Sequence, residues 1–358
     1  LKKKKKKEAI FDEISFLFPV MSRYTYQCTG NVEVDFPALC ALLNIKEILA
    51  VRTKHPHSTT DKNEGGPCLN IELENEDPLS AKRMWISGKN KQLLLSGCYL
   101  LFLSCPLCCR FWQAGLTDPM VISLTNTTSL CSNLREVSLE GNPLPNLSFH
   151  HLLSEDSKFT QVSLRNNRIG DEGARLIGSA LSTIKSANKN LLWLNLAFNN
   201  IGDEGAAHIA KGLRLNRTLL FISLCKNQIG DLGAAHLAEI IGEFSLTHEE
   251  VERRKLLFQR IQAVSNIFGT NRLCLYKQAE TMETGTPLLD PSVYHKDGKL
   301  FLPGNTTLES LNLSGLCTCS KISHINNGNL FPTDSQCYTQ IKEMVALKNP
   351  LAKSGSTV

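Results

Sequence analysis

This 358-residue sequence has little excess of positive or negative charge once its first residues are set aside. The formal net charge is +5, and six of the lysines form one run, Lys2–Lys7. Without that run, 33 basic residues face 34 acidic ones, so the composition does not favour a nucleic-acid-binding protein. The run itself is typical of a solvated tail, with nuclear import or contact with an anionic surface as the alternative.

Catalytic motifs are also missing. The sequence contains no phosphate-binding loop, no nucleophile elbow and no HExxH motif. The CxxC of Cys105 and Cys108 and the CxC of Cys317 and Cys319 have no second cysteine pair or histidines at zinc-site spacing. We therefore expect a protein that is not an enzyme and that has no catalytic residues, metal site or cofactor.

The pattern of a secreted disulfide scaffold is missing as well. The 13 cysteines are odd in number and irregularly spaced, and no signal peptide precedes the first of them, so we expect reduced thiols and a cytoplasmic location. Potential N-glycosylation sequons would matter only in a secreted chain. They begin at Asn126, Asn146, Asn216, Asn305 and Asn312.

Long apolar stretches are scarce, with one exception at residues 92–109. This stretch carries no charge and is about long enough for a membrane helix. Pro106 interrupts it, however, and its last residues fall into register with the repeat described below. We favour a buried helix and strand, with a membrane span as the less favoured alternative.

What the sequence does contain is an internal repeat with the template LxxLxLxxNxI, followed by GDxGA. Clear copies begin at Phe159, Leu191 and Leu219, and a weaker copy begins at Leu134. A fragment follows at Leu308, and a degenerate copy includes Cys109, Phe111 and Leu116. Successive copies lie about 25 to 32 residues apart, the period of leucine-rich repeats.

The template predicts a strand, a turn and a helix in each copy. Alternation at period two directs Val162 and Leu164 inward, and the following asparagine can satisfy backbone groups that the turn leaves unpaired. We expect these asparagines to stack as a structural ladder. They are Asn142, Asn167, Asn199 and Asn227.

The acidic pair after the turn is predicted to be structural rather than catalytic or metal-binding. Asp171, Asp203 and Asp231 each precede an apolar helical pattern, where aspartate caps free backbone N–H groups. The neighbouring glutamate is not kept, since Glu204 corresponds to Leu232. His208 and His236 occupy equivalent helix positions and are assigned to a solvated face, with a metal-binding pair as the weaker alternative.

These motifs, with units near 28 residues, resemble the ribonuclease-inhibitor-like class of leucine-rich repeats from Cys109 to about Phe244. Three further passages resemble one member of that class: YQCTG at Tyr26, LTHEEVERRKLL at Leu246 and PLLDPSVYHKDGKLFLPGN at Pro287. The resemblance implies an α/β solenoid with short parallel strands on the concave side, helices on the convex side and partly irregular terminal regions. It implies no activity. It does imply expression in ciliated and sperm cells, and with it a ciliary or axonemal location.

The expected organisation has five parts. They are a loosely structured N-terminal region (1–88), the repeat solenoid (89–246), a charged helix and insertion (247–304), a degenerate last repeat (305–347) and a disordered tail (348–358).

Function is predicted from the outward strand positions, which should form columns across the concave face. Trp193 and Phe221 are neighbours in one column, and large aromatic side chains without a core to enter are typical binding anchors. The alternative is that the TIKSANKN insertion (183–190) or the N-terminal region covers them. The predicted partner-binding residues are Trp193, Phe221, Gln161, Arg165, Asn195 and Glu136.

The favoured hypothesis is a non-enzymatic scaffold that binds a protein partner, of unpredicted identity, on the concave face within a larger assembly. The alternative is a regulator of an enzyme such as a nuclease or a GTPase. A basic nuclease would require an acidic concave face, to which only Glu136 and Glu140 contribute. Nucleic acid and membrane are not expected partners, and the oligomeric state is not predicted.

Overall fold

The computed structural model describes the repeat region and parts of both flanks. The described residues are 29, 31–42, 50–55, 68–77, 80–87, 107–128, 133–154, 157–182, 189–268, 288 and 292–313. Of the expected parts, the tail (348–358), residues 314–347 and the Lys2–Lys7 run lie outside them.

A nine-stranded sheet organises the described part of the chain, with strand order β1-β2-β3-β4-β5-β6-β7-β8-β12. Its strands are β1 (Ala50–Lys54), β2 (Cys68–Leu73), β3 (Ala81–Ser87), β4 (Cys108–Trp112), β5 (Glu136–Ser138), β6 (Gln161–Ser163), β7 (Trp193–Asn195), β8 (Phe221–Ser223) and β12 (Ser310–Asn312). Only the β2–β3 pair is antiparallel; the other pairs are parallel.

Helices follow β6, β7 and β8, as the change of period in the sequence predicts, and further helices lie after β4, after the repeats and before β1. They are α1 (Val32–Leu42), α2 (Asp118–Thr128), α3 (Asp171–Ser182), α4 (Asp203–Leu213), α5 (Asp231–Ile241) and α6 (His248–Phe268). After β5 the helix is replaced by a short 3-10 helix, Ser148–Leu153. A mostly parallel sheet whose strands alternate with helices fits a solenoid.

The inward strand residues and the apolar helix faces form one continuous core. Val162, Leu164, Ala174 and Ile177 are almost fully buried in it. The opposite face of the sheet therefore points away from the helices; we call it the open face.

Helices α3 and α4 approach each other closely because glycine lies at their contact. A Cβ atom on Gly178 would lie 2.3 Å from the backbone oxygen of His208, and one on Gly212 would lie 2.3 Å from the backbone oxygen of Gly178. Real Cβ atoms do not approach backbone this closely, so a side chain at either glycine would force the two helices apart.

The sheet extends beyond the boundary at residue 89 that the sequence predicts. Strands β1 to β3 continue it, and Phe36 of α1 is fully buried in the same core as Leu69 and Met84. The region that was expected to be loosely structured thus contributes three strands and a helix. These elements carry no NxIGD turn, and the β2–β3 hairpin is antiparallel, so the repeat template could not detect them.

An insertion separates β8 from β12 and forms a small sheet of its own. Its strands are β9 (Phe244–Ser245), β10 (Tyr294–Lys296) and β11 (Lys299–Leu302), in the order β10-β11-β9. Helix α6 begins with a capping box, since the backbone N–H of Thr247 donates to Glu250 and that of Glu250 donates to the Thr247 hydroxyl. The pairing of β12 with β8 shows that the fragment at Leu308 adds one more strand after the insertion.

Candidate functional site

The asparagine positions tie each repeat to the next one. The side-chain oxygen of Asn167 accepts from the backbone N–H of Asn142 (2.6 Å), and that of Asn199 accepts from the N–H of Asn167 (2.9 Å). Asn227 accepts from the N–H of Ile201 at 3.1 Å. Within the described residues the amide nitrogen of Asn167 has no hydrogen-bond partner, whereas the amides of the other three donate to strand carbonyls.

The aspartates of the first two GDxGA motifs, Asp171 and Asp203, cap the following helix rather than their own. Asp171 accepts from the backbone N–H groups of Gly202 (2.7 Å) and Gly205 (2.9 Å) at the start of α4. Asp203 repeats this arrangement one unit further on, accepting from Gly230 (2.6 Å) and Gly233 (2.9 Å). Each of these two carboxylates therefore links one repeat to the next. This corrects the simpler expectation that each aspartate caps the helix in which it lies.

Asp118 plays the same part for the 3-10 helix. It accepts from the backbone N–H groups of Asn146 and Ser148, each at 3.0 Å. Burial raises the pKa of the Asp118 carboxyl, but these hydrogen bonds together lower it by more. The pKa of Asp118 therefore lies below its ordinary value. The carboxylates of Asp118, Asp171 and Asp203 thus form hydrogen bonds that join neighbouring units.

Two of the sequon asparagines have structural roles that the sequence did not reveal. Asn216 is nearly buried, and its side-chain oxygen accepts from the N–H groups of Thr218 and Leu219. Asn305 is fully buried and makes the equivalent bonds to Thr307 and Leu308. The amide of Asn305 also donates to carbonyls of the previous repeat, so it joins the last strand to the repeats before the insertion.

The open face presents its side chains in aligned columns. Strand register places Glu136, Gln161, Trp193 and Phe221 side by side, with Cys108 before them and Ser310 after them. The next column on the same face contains Arg110, Ser138, Ser163, Asn195, Ser223 and Asn312. Five of the six predicted partner-binding residues fall in these two columns.

Trp193 and Phe221 stack on each other in the first column. Their ring centroids lie 5.4 Å apart and their planes differ by 8°. Both side chains are partly buried, because each ring covers one face of the other. The stack fixes both rings in place, which lowers the entropy that a bound partner would have to offset.

The remaining predicted residue, Arg165, lies at the edge of this surface. Its guanidinium carbon lies 4.2 Å from the centroid of the Phe198 ring, a cation–π contact. Phe198 is 38% exposed and has a positive φ of 57°. Gln113, Gly141, Asn166 and Lys226 occupy the same turn position in the other repeats, also with positive φ, so the turn geometry explains the conformation of Phe198.

All three tryptophans of the sequence lie on the open face. Trp85 pairs with Arg110 across β3 and β4, and Trp112 lies at the end of β4 on the same face. Trp112 is 55% exposed. Sequence reasoning identified only Trp193, because β3 and β4 lack a clear repeat template; the period-two alternation of Trp85 with the buried Met84 and Ile86 is the signal that could have located Trp85.

A cavity of about 370 Å³ lies on the open face between Trp112 and Trp193. Its lining residues are Cys108, Arg110, Trp112, Glu136, Val137, Ser138, Glu140, Gln161, Ser163 and Trp193. The Glu140 carboxylate accepts hydrogen bonds from the hydroxyls of Ser163 (2.8 Å) and Ser138 (3.2 Å). Glu136 and Glu140 are both partly buried, and within the described part of the chain neither forms an ion pair.

Cys108 lies between the charges of this cavity. Burial raises the pKa of its thiol and Glu136 raises it further, whereas contact with Arg110 lowers it. The pKa of the thiol is therefore above its ordinary value, and thiolate chemistry is not favoured at this position.

The histidines singled out by the sequence do not assemble a metal site with other ligands. His208 faces Glu204 of the same helix at 3.9 Å. No group of three or more His, Cys, Asp or Glu side chains in the described ranges is arranged to hold a metal ion. Cys105, Cys317 and Cys319 lie outside those ranges.

The apolar stretch at residues 92–109 is described only at its end, where Cys108 and Cys109 begin β4 and Cys109 is fully buried. Residues 92–106 lie outside the described residues. None of the helices that the structure describes combines the length and apolar composition needed to span a bilayer.

Comparison with protein families gives a match that coincides with the clearest repeats. A family model described as a leucine-rich repeat matches residues 156–178 and 187–210. The chain thus contains leucine-rich repeats, which generally form non-enzymatic scaffolds for protein–protein interaction. The two matched stretches include β6, β7 and the ladder residues Asn167 and Asn199.

Proposed function

We propose that this protein is a non-enzymatic scaffold that binds a protein partner on the open face of its repeat sheet. The stacked pair of Trp193 and Phe221 carries the proposal. Strands β1 to β3 do not cover the pair, since they extend the sheet at the end opposite from Phe221. Residues 183–188 of the insertion that could cover the pair lie outside the described residues.

The surroundings of the pair suit a binding surface. Gln161 is exposed in the same column, and Asn195 and Glu136 are partly buried around it. Aromatic anchors surrounded by polar groups are the usual composition of interface centres, where a few large side chains supply most of the affinity. Arg165, stacked on Phe198, extends the surface towards the turns.

The cellular setting is part of the same proposal. The repeat class resembles the ribonuclease-inhibitor-like leucine-rich repeats, and the three quoted passages resemble leucine-rich repeat-containing protein 71. On that resemblance we place the partner in a cytoplasmic assembly of ciliated or sperm cells, such as the axoneme. Proximity labelling with the full-length protein in ciliated cells tests this setting, and a neighbour set without axonemal proteins would contradict it.

The direct test replaces the aromatic pair. We expect Trp193→Ala combined with Phe221→Ala to weaken partner capture by at least about tenfold, since truncating an interface anchor typically costs 2 kcal/mol or more. The matched control is Leu232→Ala, an apolar truncation at a side chain that is 70% exposed on α5. Equal capture by the pair variant and the control, with unchanged circular dichroism, would refute the proposal.

A second proposal is regulation of an enzyme with a basic surface, such as a nuclease, or of a GTPase. The observation in its favour is the presence of two carboxylates, Glu136 and Glu140, in the cavity. Purified protein should then inhibit the nuclease or change the rate of GTP hydrolysis. No change in either rate at saturating protein would remove this proposal.

A further inference from the structure

The cavity beside Trp193 has an excess of negative charge. Of its lining residues, Glu136 and Glu140 are acidic and Arg110 is basic, so the lining carries one net negative charge. Neither carboxylate has a cationic partner within the described ranges. Partly buried carboxylates without such a partner favour a ligand that brings a positive charge.

Glu140, the second carboxylate of the lining, is held in a fixed position. The hydroxyls of Ser138 and Ser163 both donate to its carboxylate, which orients the group and leaves its other acceptor positions open. A carboxylate oriented in advance loses less entropy on binding a cation.

The ring of Trp193 supplies a second attraction for a cation. Phe221, on β8, covers one face of the ring, and the other face is turned towards β6 and the cavity. Glu136 lies two strands from Trp193, about 10 Å at ordinary strand spacing, with Gln161 between them. The cavity of about 370 Å³ that Glu136, Gln161 and Trp193 help to line is larger than a guanidinium group.

We propose that the partner inserts an arginine side chain above Gln161, between Glu136 and the open face of Trp193. This inference rests on the proposed function. A guanidinium suits the space better than an ammonium, because it lies flat on an indole and donates two parallel hydrogen bonds to a carboxylate. Arg110 lies two strands from Gln161, about 10 Å at ordinary strand spacing, and its guanidinium contacts Cys108.

The test selects short random displayed peptides on the full chain and counter-selects them on the Trp193→Ala, Phe221→Ala variant. We expect the surviving peptides to contain arginine. Their affinity should fall by at least about tenfold for the Glu136→Gln variant, and a comparable loss should follow replacement of the peptide arginine by glutamine. The charge-matched control is Glu239→Gln, an exposed carboxylate on α5, away from the cavity.

The other outcomes separate this inference from the proposed function. Peptides that require Trp193 and Phe221 but lack arginine, or that bind the Glu136→Gln variant equally, would overturn the inference and leave the proposed function standing. The same holds for acidic peptides whose binding is lost in Arg110→Gln. If no selected peptide depends on Trp193 and Phe221, both proposals fail.

Discussion

Replacement of Asp203 by alanine tests how the repeats are joined. Its carboxylate accepts from two backbone N–H groups of the next repeat, at 2.6 and 2.9 Å. Loss of a helix cap costs about 1 kcal/mol, and hydrogen bonds to a charged group contribute about 1.5–3 kcal/mol each when well shielded. Because these bonds are only partly buried, we expect Asp203→Ala to lower the free energy of unfolding by about 2 kcal/mol.

Asp231 provides a matched control at the equivalent position of the next helix. It also lies in the first turn of its own helix, but within the described part of the chain its carboxylate accepts no hydrogen bond. Asp231→Ala should therefore lose only the interaction with the helix dipole, about 0.5 kcal/mol. Urea denaturation followed by far-ultraviolet circular dichroism measures both variants. Equal losses in the two would refute the inter-repeat cap and restore the simpler model, in which each aspartate serves its own helix.

Three further predictions concern stability. Asp118 has a lowered pKa, so its stabilising effect is fully present above the unfolded-state pKa of about 3.9 and is lost as the pH falls through the folded-state value. Asp118→Asn should therefore show a smaller drop in melting temperature on acidification than the unaltered protein. Parallel curves of melting temperature against pH would contradict this. Glu250→Ala removes the carboxylate that pairs with Arg214, whose side chain is 14% exposed. It should lower the free energy of unfolding by about 2 kcal/mol, less than the loss for a fully buried pair. An unchanged chemical denaturation curve would be evidence against this. Gly212→Ala should destabilise the protein, although alanine is the better helix former by about 1 kcal/mol. The alanine Cβ would lie 2.3 Å from the backbone oxygen of Gly178. A rise in melting temperature would show that the two helices separate without cost.

The repeat core could be predicted from the sequence because local chemistry determines it. Alternation at period two sets the inward residues of β6, β7 and β8, and the asparagine turn fixes where each strand ends. Those two signals also fix the strand register, and the pairing of Trp193 with Phe221 follows from it. The change to a 3.6-residue period locates helices α3 to α5.

Features that depend on contacts between repeats could not be predicted in the same way. The sequence places Asp171 before a helix, but only the stacking of units decides which helix its carboxylate caps. Likewise, the sequence around Asn305 indicates only a glycosylation sequon. Asn305 is buried and contacts the previous repeat because β12 pairs with β8 after the insertion. The orientation of the Glu140 carboxylate in the cavity also depends on a contact between repeats, since the Ser163 hydroxyl of the neighbouring strand donates to it.

The N-terminal extension of the sheet shows a different limit. Strands β2 and β3 alternate apolar and polar residues, but they are antiparallel and lack the asparagine turn of the repeats. A template built on the later repeats therefore ends too early to include Trp85. Trp112 lies within the degenerate copy at Cys109 and Phe111, whose match to the template is too weak to mark its outward position. With these residues, the open face has aromatic side chains on both sides of the Glu136–Glu140 cavity rather than on one side only.

The most direct test of the central claim is site-specific photo-crosslinking of the full-length protein in ciliated cells. A photoreactive residue at Gln161, which is exposed on the open face, lies next to Trp193, whereas the same residue at the exposed position Glu239 on α5 reports on the helical side. Binding on the open face predicts a defined crosslinked partner from Gln161 that disappears in the Trp193→Ala, Phe221→Ala variant, and none from Glu239. Crosslinks from Glu239 alone, or from Gln161 regardless of the aromatic pair, would contradict it.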